Sequence, residues 1–189
     1  MDNQWNNLTN TSCAFTGHRP RKLPWRYDET DARCIELKSI ISDLIAKMAA
    51  FGVTDYYSGM ADGADIFMSQ AVLALRKDVL GLKLHCILPC DGQAEQWPTA
   101  AQERYYAILD QADTVSFVCH QYQEGCMLKR NRRLVDSAAF LLAVYNGEWR
   151  GGTAATVRYA KKQGRGIIII DPATQKLTFD GDIPGFIQL

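Results

Sequence analysis

From Thr11 to Ile170 the chain alternates short apolar runs with longer amphipathic ones. The apolar runs Ser12 to Thr16, Asp55 to Ser58, Leu82 to Leu88, Thr114 to Val118, Ala138 to Tyr145 and Gly166 to Ile170 predict six strands. Between them the spacing predicts helices over Ala32 to Ala50, Asp62 to Lys77, Pro98 to Asp110, Cys126 to Ser137 and Thr153 to Gln163. In the first, Leu37, Ile41, Leu44, Ile45 and Met48 share one face; in the second, Phe67, Ala71 and Leu75 do, with Gly81 as a stop beyond. Pro98 suits the first turn of the third.

Regular alternation of strand and helix implies right-handed crossovers and strands buried on both faces. The expected fold class is therefore α/β: a Rossmann-like, doubly wound, mainly parallel sheet of about six or seven strands, with helices on both faces. Residues 1–10, polar and Asn-rich, are expected to form a flexible N-terminus, residues 11–171 a single domain, and residues 172–189 a peripheral C-terminal tail. In that tail Leu177 to Phe179 and the Asp180-Gly181-Asp182 turn suggest a hairpin.

Composition narrows the partners. Lys+Arg and Asp+Glu both number 21, so no global field gathers polyanions and any such contact must be local. No segment reaches the roughly 18 apolar residues of a membrane span, and no apolar leader stands at the start, so a cytoplasmic protein without membrane contact is expected. The six cysteines are dispersed, without a Cys-x-x-Cys pair, and read as reduced. Cys119-His120 with Cys126 lacks paired ligand spacing, and no metal is expected.

Ligands of a doubly wound sheet bind beyond the carboxyl ends of its strands, and the unusual residues collect there. After the first strand comes Thr16-Gly17-His18-Arg19-Pro20-Arg21-Lys22, a glycine turn with cations. After the second comes Ser58-Gly59-Met60-Ala61-Asp62-Gly63-Ala64-Asp65, in which Asp62 is placed to cap the following helix. After the fifth comes Asn146-Gly147-Glu148-Trp149-Arg150-Gly151-Gly152-Thr153, where a glycine pair opens a helix whose N-terminal amides favour an anion. Each loop alone reads as a turn or cap; together they point to one phosphate-bearing ligand with a sugar attached. Gly17, Gly59, Gly63, Gly151, Gly152 and Thr153 would approach it, with His18 and Ser58 beside them; Arg19 would supply a charge, and Asp62 or Asp65 would take sugar hydroxyls.

No Gly-x-Gly-x-x-Gly or Walker loop is present, so a common dinucleotide dehydrogenase or ATPase is not indicated. Lys129, Arg130, Arg132 and Arg133 put four cations within five residues of the fourth helix. Met127, Leu128, Leu134 and Val135 form its expected apolar face with Asn131 on the same side, while Arg132 is spaced to pair with Asp136. Arg130 and Asn131 are the site candidates; Arg132 and Arg133 read as a solvated face. Without interleaved aromatics on this helix, nucleic-acid binding is the less favoured reading.

The ordered set Thr16-Gly17-His18-Arg19-Pro20, Ser58-Gly59 with Gly63-Ala64-Asp65, Lys129-Arg130-Asn131-Arg132, Ala143-Val144-Tyr145 and Gly151-Gly152-Thr153 resembles the YpsA-like branch of the SLOG superfamily. The resemblance runs from about Ser12 to Asp171. It implies a Rossmann-like domain related to LOG phosphoribohydrolases and DprA, a nucleotide-derived ligand such as a nucleotide, nucleotide-sugar, ADP-ribose or NAD-like molecule, and a homo-oligomer. The LOG pattern Pro-Gly-Gly-x-Gly-Thr-x-x-Glu ends on a catalytic glutamate, and this chain has Thr156 there. A hydroxyl does not replace a carboxylate at an N-glycosidic bond. Glu148 and Asp65 are the remaining acids for a hydrolase, and single-strand binding of the DprA kind is the other alternative.

Overall fold

The computed structural model describes residues 11–185, so the N-terminus expected over residues 1–10 and the end of the tail lie outside the described residues. Seven strands, β1 (Ser12–Gly17), β2 (Asp55–Ser58), β3 (Lys83–Leu88), β4 (Thr114–Phe117), β5 (Phe140–Val144), β6 (Gly166–Ile170) and β7 (Leu177–Asp180), form one sheet in the order β4-β3-β2-β1-β5-β6-β7. The first six run parallel. β7 turns back antiparallel on β6, pairing Phe179 with Ile168, so the tail's apolar group closes one edge of the sheet.

Five helices cover it: α1 (Ala32–Ala50), α2 (Ala64–Leu75), α3 (Thr99–Leu109), α4 (Cys126–Asp136) and α5 (Gly152–Lys162). The two-residue period of the strands splits the core between two layers. Cys13 and Phe15 of β1 pack with Leu37 and Ile41 of α1, Met68 of α2 and Tyr105 of α3. Ala14, one residue out of phase, packs on the opposite side with Leu134 and Val135 of α4 and Val157 and Ala160 of α5. β5 is buried along its whole length, as a strand covered on both faces must be. Five of the six cysteines are buried and all are free thiols.

β1 lies between β2 and β5. The chain therefore winds outward in one direction through β4 and then returns to start β5 on the other side of β1. Loops leaving the adjacent carboxyl ends of β1 and β5 diverge to opposite faces, which opens a crevice between them. Among the described residues no helix is long and apolar enough to cross a membrane.

Two local expectations are corrected. α2 starts at Ala64, and its N-cap is Gly63 with φ +99°, making no side-chain cap hydrogen bond, so Asp62 is not the cap. The reason is steric: a Cβ at Gly63 would lie 2.7 Å from the His18 carbonyl, and only glycine lets the two loops touch there. α5 starts at Gly152 with Gly151 as N-cap, one residue before the start that the pattern predicts.

Candidate functional site

The crevice is assembled around the last residue of β1. Gly17 has no side chain because α2 begins against it: a Cβ there would stand 2.3 Å from the Ala64 Cβ. The Ala64 amide donates to the His18 carbonyl at 3.2 Å, and the Thr153 hydroxyl donates to the Gly17 carbonyl at 3.0 Å. Hence α2 and α5 both begin on one turn. His18 is buried, and its Nε2 lies 2.7 Å from Asn146 Oδ1, an oxygen that also accepts from the Glu148 amide. Burial lowers the pKa of His18, and the Asn146 backbone amide also reaches the same Nε2 at 3.2 Å. The histidine thus ties the β1 loop to the β5 loop.

Arg130 of α4 reaches into this crevice from the opposite layer. It is 5% exposed, yet neither Nε nor Nη1 has a hydrogen-bond partner among the described residues. Its nearest counter-charge is Asp65, 3.8 Å from Nη1, which is an ion pair without a hydrogen bond. Gly59 makes room for it, since a Cβ there would fall 1.4 Å from Nη1. Ser58 supports the same loop from inside: buried, it accepts from the Ser69 hydroxyl at 2.9 Å and from the Met60 amide at 3.1 Å.

Asp65 is also buried, with Oδ2 accepting from the Ala61 amide at 3.2 Å and Oδ1 lacking a partner among the described residues. Burial pushes its carboxyl up to about 6, against the pull of Arg130. A folded-state pKa above the unfolded value of roughly 3.9 means the folded chain holds the proton more tightly. That stabilisation is complete below the unfolded pKa and is lost as the pH rises through about 6. Thermal melts should accordingly show Asp65→Asn gaining on wild type between about pH 4 and pH 6 and holding a constant difference above; a difference independent of pH would contradict the assignment.

Arg130, Asp65, Gly17, His18, Arg19, Asn131, Gly151, Gly152 and Thr153 line one cavity of about 310 Å³ with Arg21, Lys22 and Arg150. One wall is the N-terminus of α5, where Gly151 has φ +108° and offers no side-chain cap to the first-turn amides. At the rim Lys22 pairs with Glu148. That hydrogen bond is the main reason the exposed Glu148 carboxyl sits below its usual range, so it is an anion engaged at the edge. Thr156, where a glutamate would be needed, is buried, and its hydroxyl donates to the Gly152 carbonyl at 2.8 Å. It secures the first turn of α5.

A cavity that joins a buried guanidinium, held only by a 3.8 Å ion pair, with several further cations and a helix N-terminus lacking a side-chain cap has the chemistry to hold an anion. The YpsA family model, described as the YspA SLOG family, matches residues 13–173. This chain belongs to the YspA SLOG family. Among curated relatives of this SLOG protein, the UPF0398 protein YpsA of Bacillus subtilis is 27% identical over 79% of this chain and 84% of its own. A UPF0398 protein of Shouchella clausii is 33% identical over 79% and 81%. The fold is shared with DNA processing protein A (DprA) from Streptococcus pneumoniae, with a TM-score of 0.58 at 19% identity over 85% of this chain and 50% of that one. DprA from Helicobacter pylori, solved for its single-stranded DNA binding mode, gives 0.58 at 20% identity over 86% and 66%. This chain thus spans half the length of the first of these structures.

The cavity of the SLOG chain gathers most of the residues that the sequence singles out. Asp62 stands apart, half-buried on the wall of a neighbouring cavity, and Ser58, Gly59 and Gly63 line neither cavity. α4 departs from its expected faces. Leu128 is 43% exposed, and the buried stripe is Cys126, Arg130, Leu134 and Val135. Positions 126, 130 and 134 are successive i+4 neighbours, so the stripe was present in the spacing, but hydrophobicity alone passes over an arginine. The expected Arg132–Asp136 pair is replaced: Asp136 accepts from the Tyr159 hydroxyl at 3.0 Å, and the Arg132 guanidinium stacks over that ring. Arg21, Lys22 and Arg150 were not singled out as ligands, although each sits within the motif loops.

Proposed function

We propose that this chain binds the phosphate of a small nucleotide-derived ligand, a nucleotide, nucleotide-sugar, ADP-ribose or NAD-like molecule, in the crevice between β1 and β5. The observation that carries this reading is Arg130, a buried cation whose Nε and Nη1 have no hydrogen-bond partner among the described residues and whose side chain lines the cavity facing the α5 N-terminus. Leaving a buried guanidinium unsatisfied costs about 1–3 kcal/mol or more, a penalty that a bound phosphate would remove. The replacement of the hydrolase glutamate by Thr156, whose hydroxyl is engaged with Gly152, supports holding a nucleotide over cleaving one.

Titration calorimetry of the purified chain against AMP, NAD, ADP-ribose, cyclic dinucleotides and a single-stranded oligonucleotide tests the reading. At least one small ligand is expected to bind, and Gly152→Asp is expected to weaken it at least about tenfold. The Gly152 Cβ position has its nearest neighbour 3.8 Å away, so the aspartate fits and its carboxylate competes for the helix N-terminus. Silence of every small ligand, or strand binding alone with a steep loss of affinity in salt, would overturn it.

A further inference from the structure

Three cysteines gather beyond the carboxyl ends of β3 and β4, outside the lining of the anion cavity. β3 and β4 run parallel with Leu88 opposite Phe117, and two backbone bonds carry that register past the strand ends. The Val118 amide donates to the Leu88 carbonyl at 2.9 Å, and the Cys119 amide donates to the Pro89 carbonyl at 3.1 Å. Cys119 thus lies beside Cys90. Cys126, the first residue of α4, is the third, and Cys90 feels the charge of both others. We propose that Cys90 and Cys119 are a reversible thiol–disulfide pair, oxidised by peroxide, that clamps the loop after β3 to the loop after β4.

The backbone suits the bond. Neighbouring strands stand about 4.8 Å apart, and a disulfide spans Cα separations of roughly 4.4–6.8 Å. Exposure divides the roles: Cys119 is partly open to solvent, whereas the other five thiols are buried. Burial raises the pKa of Cys90, with Cys126, Asp91 and Cys119 adding to the effect, so its thiol resists ionisation and direct attack on an oxidant. Cys119 therefore meets the oxidant first and Cys90 resolves it. Cys90 also lines a cavity of about 1190 Å³ together with His120, Gln121 and Tyr122 of the loop after β4, so the two loops share one wall.

One peroxide completes the oxidation. The Cys119 thiolate attacks a peroxide oxygen, forming S–O as O–O breaks, and the hydroxide released takes up the thiol proton as water. The Cys90 sulfur then attacks that sulfenic sulfur, forming S–S as S–O breaks, and a second hydroxide leaves with the Cys90 proton as water. Two thiols lose two electrons, and peroxide is reduced to two waters. The loop so clamped runs from β4 into α4, whose second turn carries Arg130. The state of the pair thereby sets the freedom of the chain leading to that arginine.

The full chain, treated with hydrogen peroxide near pH 8, alkylated and mapped without reduction by mass spectrometry, tests the pairing. A Cys90–Cys119 peptide lacking two hydrogens is expected, and dithiothreitol should return both thiols. Cys119→Ser should leave Cys90 free to alkylate, Cys90→Ser should drive Cys119 on to sulfinic acid, and Cys126→Ser should form the cross-link as wild type does. If Cys90→Ser disturbs folding, Cys119→Ser, at a partly exposed position, carries the same comparison. The disulfide form should also lose chymotryptic cleavage at Tyr122 at least about threefold, with cleavage at Trp149 unchanged as the internal control. Both residues are exposed, at 71% and 76%. A Cys90–Cys126 link, or oxidation of Cys119 in wild type with Cys90 still free, overturns the pair. Equal cleavage at Tyr122 in the two redox forms overturns the clamp.

Discussion

Gly17→Ala is expected to destabilise the chain by roughly 3 kcal/mol and lower its melting midpoint by roughly 6–12 °C, although a single methyl is added. The added Cβ would stand 2.3 Å from the Ala64 Cβ and 3.3 Å from the Val144 Cβ. Both neighbours are fixed to backbone, so no side-chain rotation relieves the contact, and α2 must move away from β1. That movement stretches the 3.2 Å bond from the Ala64 amide to the His18 carbonyl and disturbs the Thr153 hydroxyl on Gly17. Backbone conformation is not the obstacle, because Gly17 does not have a positive φ. Ala64→Gly in the same chain should therefore recover more than half of the loss, since glycine at the first turn of a helix costs less than about 1 kcal/mol. Additive melting losses in the double variant would refute the steric account.

Gly59→Ala acts on the site itself. The new Cβ would overlap Nη1 of Arg130 at 1.4 Å and Cζ at 2.4 Å. All these atoms belong to one flexible side chain, so the backbone stays and the guanidinium is displaced. Two consequences follow at once. The cation leaves its position opposite α5, and phosphate affinity should fall at least about tenfold in calorimetry. Asp65 loses its partner, and its carboxyl, already raised to about 6 by burial, rises further. Destabilisation of about 2 kcal/mol is expected near pH 7.5 and less near pH 5, where Asp65 is already neutral. Adding Arg130→Met should relieve the overlap and restore stability only near pH 5, where Asp65 is neutral, without restoring binding. Full binding by Gly59→Ala would show that Arg130 is not the anchor.

Elements made of local pattern were legible in the sequence. The bounds Ala32–Ala50, Asp55–Ser58 and Gly166–Ile170 were read to the residue, because a buried face at a period of 3.6 or 2 is a property of the segment alone. The three loops on the carboxyl edge were legible for a related reason: once strands and helices alternate, the chain direction places every strand-to-helix loop on one side of the sheet.

What could not be read were properties that belong to two segments at once. Asp62 has the right chemistry for a cap, but the close approach of His18 to Gly63 decides the start of α2. Arg132 has the right spacing for Asp136, but Tyr159 on another helix takes the carboxylate. Gly59 looks like a glycine for a phosphate, and its nearest neighbour is Arg130, 71 positions later in the chain. The sequence by itself determined the doubly wound α/β order, the edge on which the polar loops gather and the glycine pair that opens α5, since each follows from neighbours along the chain. Tertiary structure alone decided that Arg130 is buried beside Gly59 with Nε and Nη1 lacking hydrogen-bond partners among the described residues, and that Arg19 lines two cavities. Burial and close approach are set by which elements pack, and no single segment carries that information.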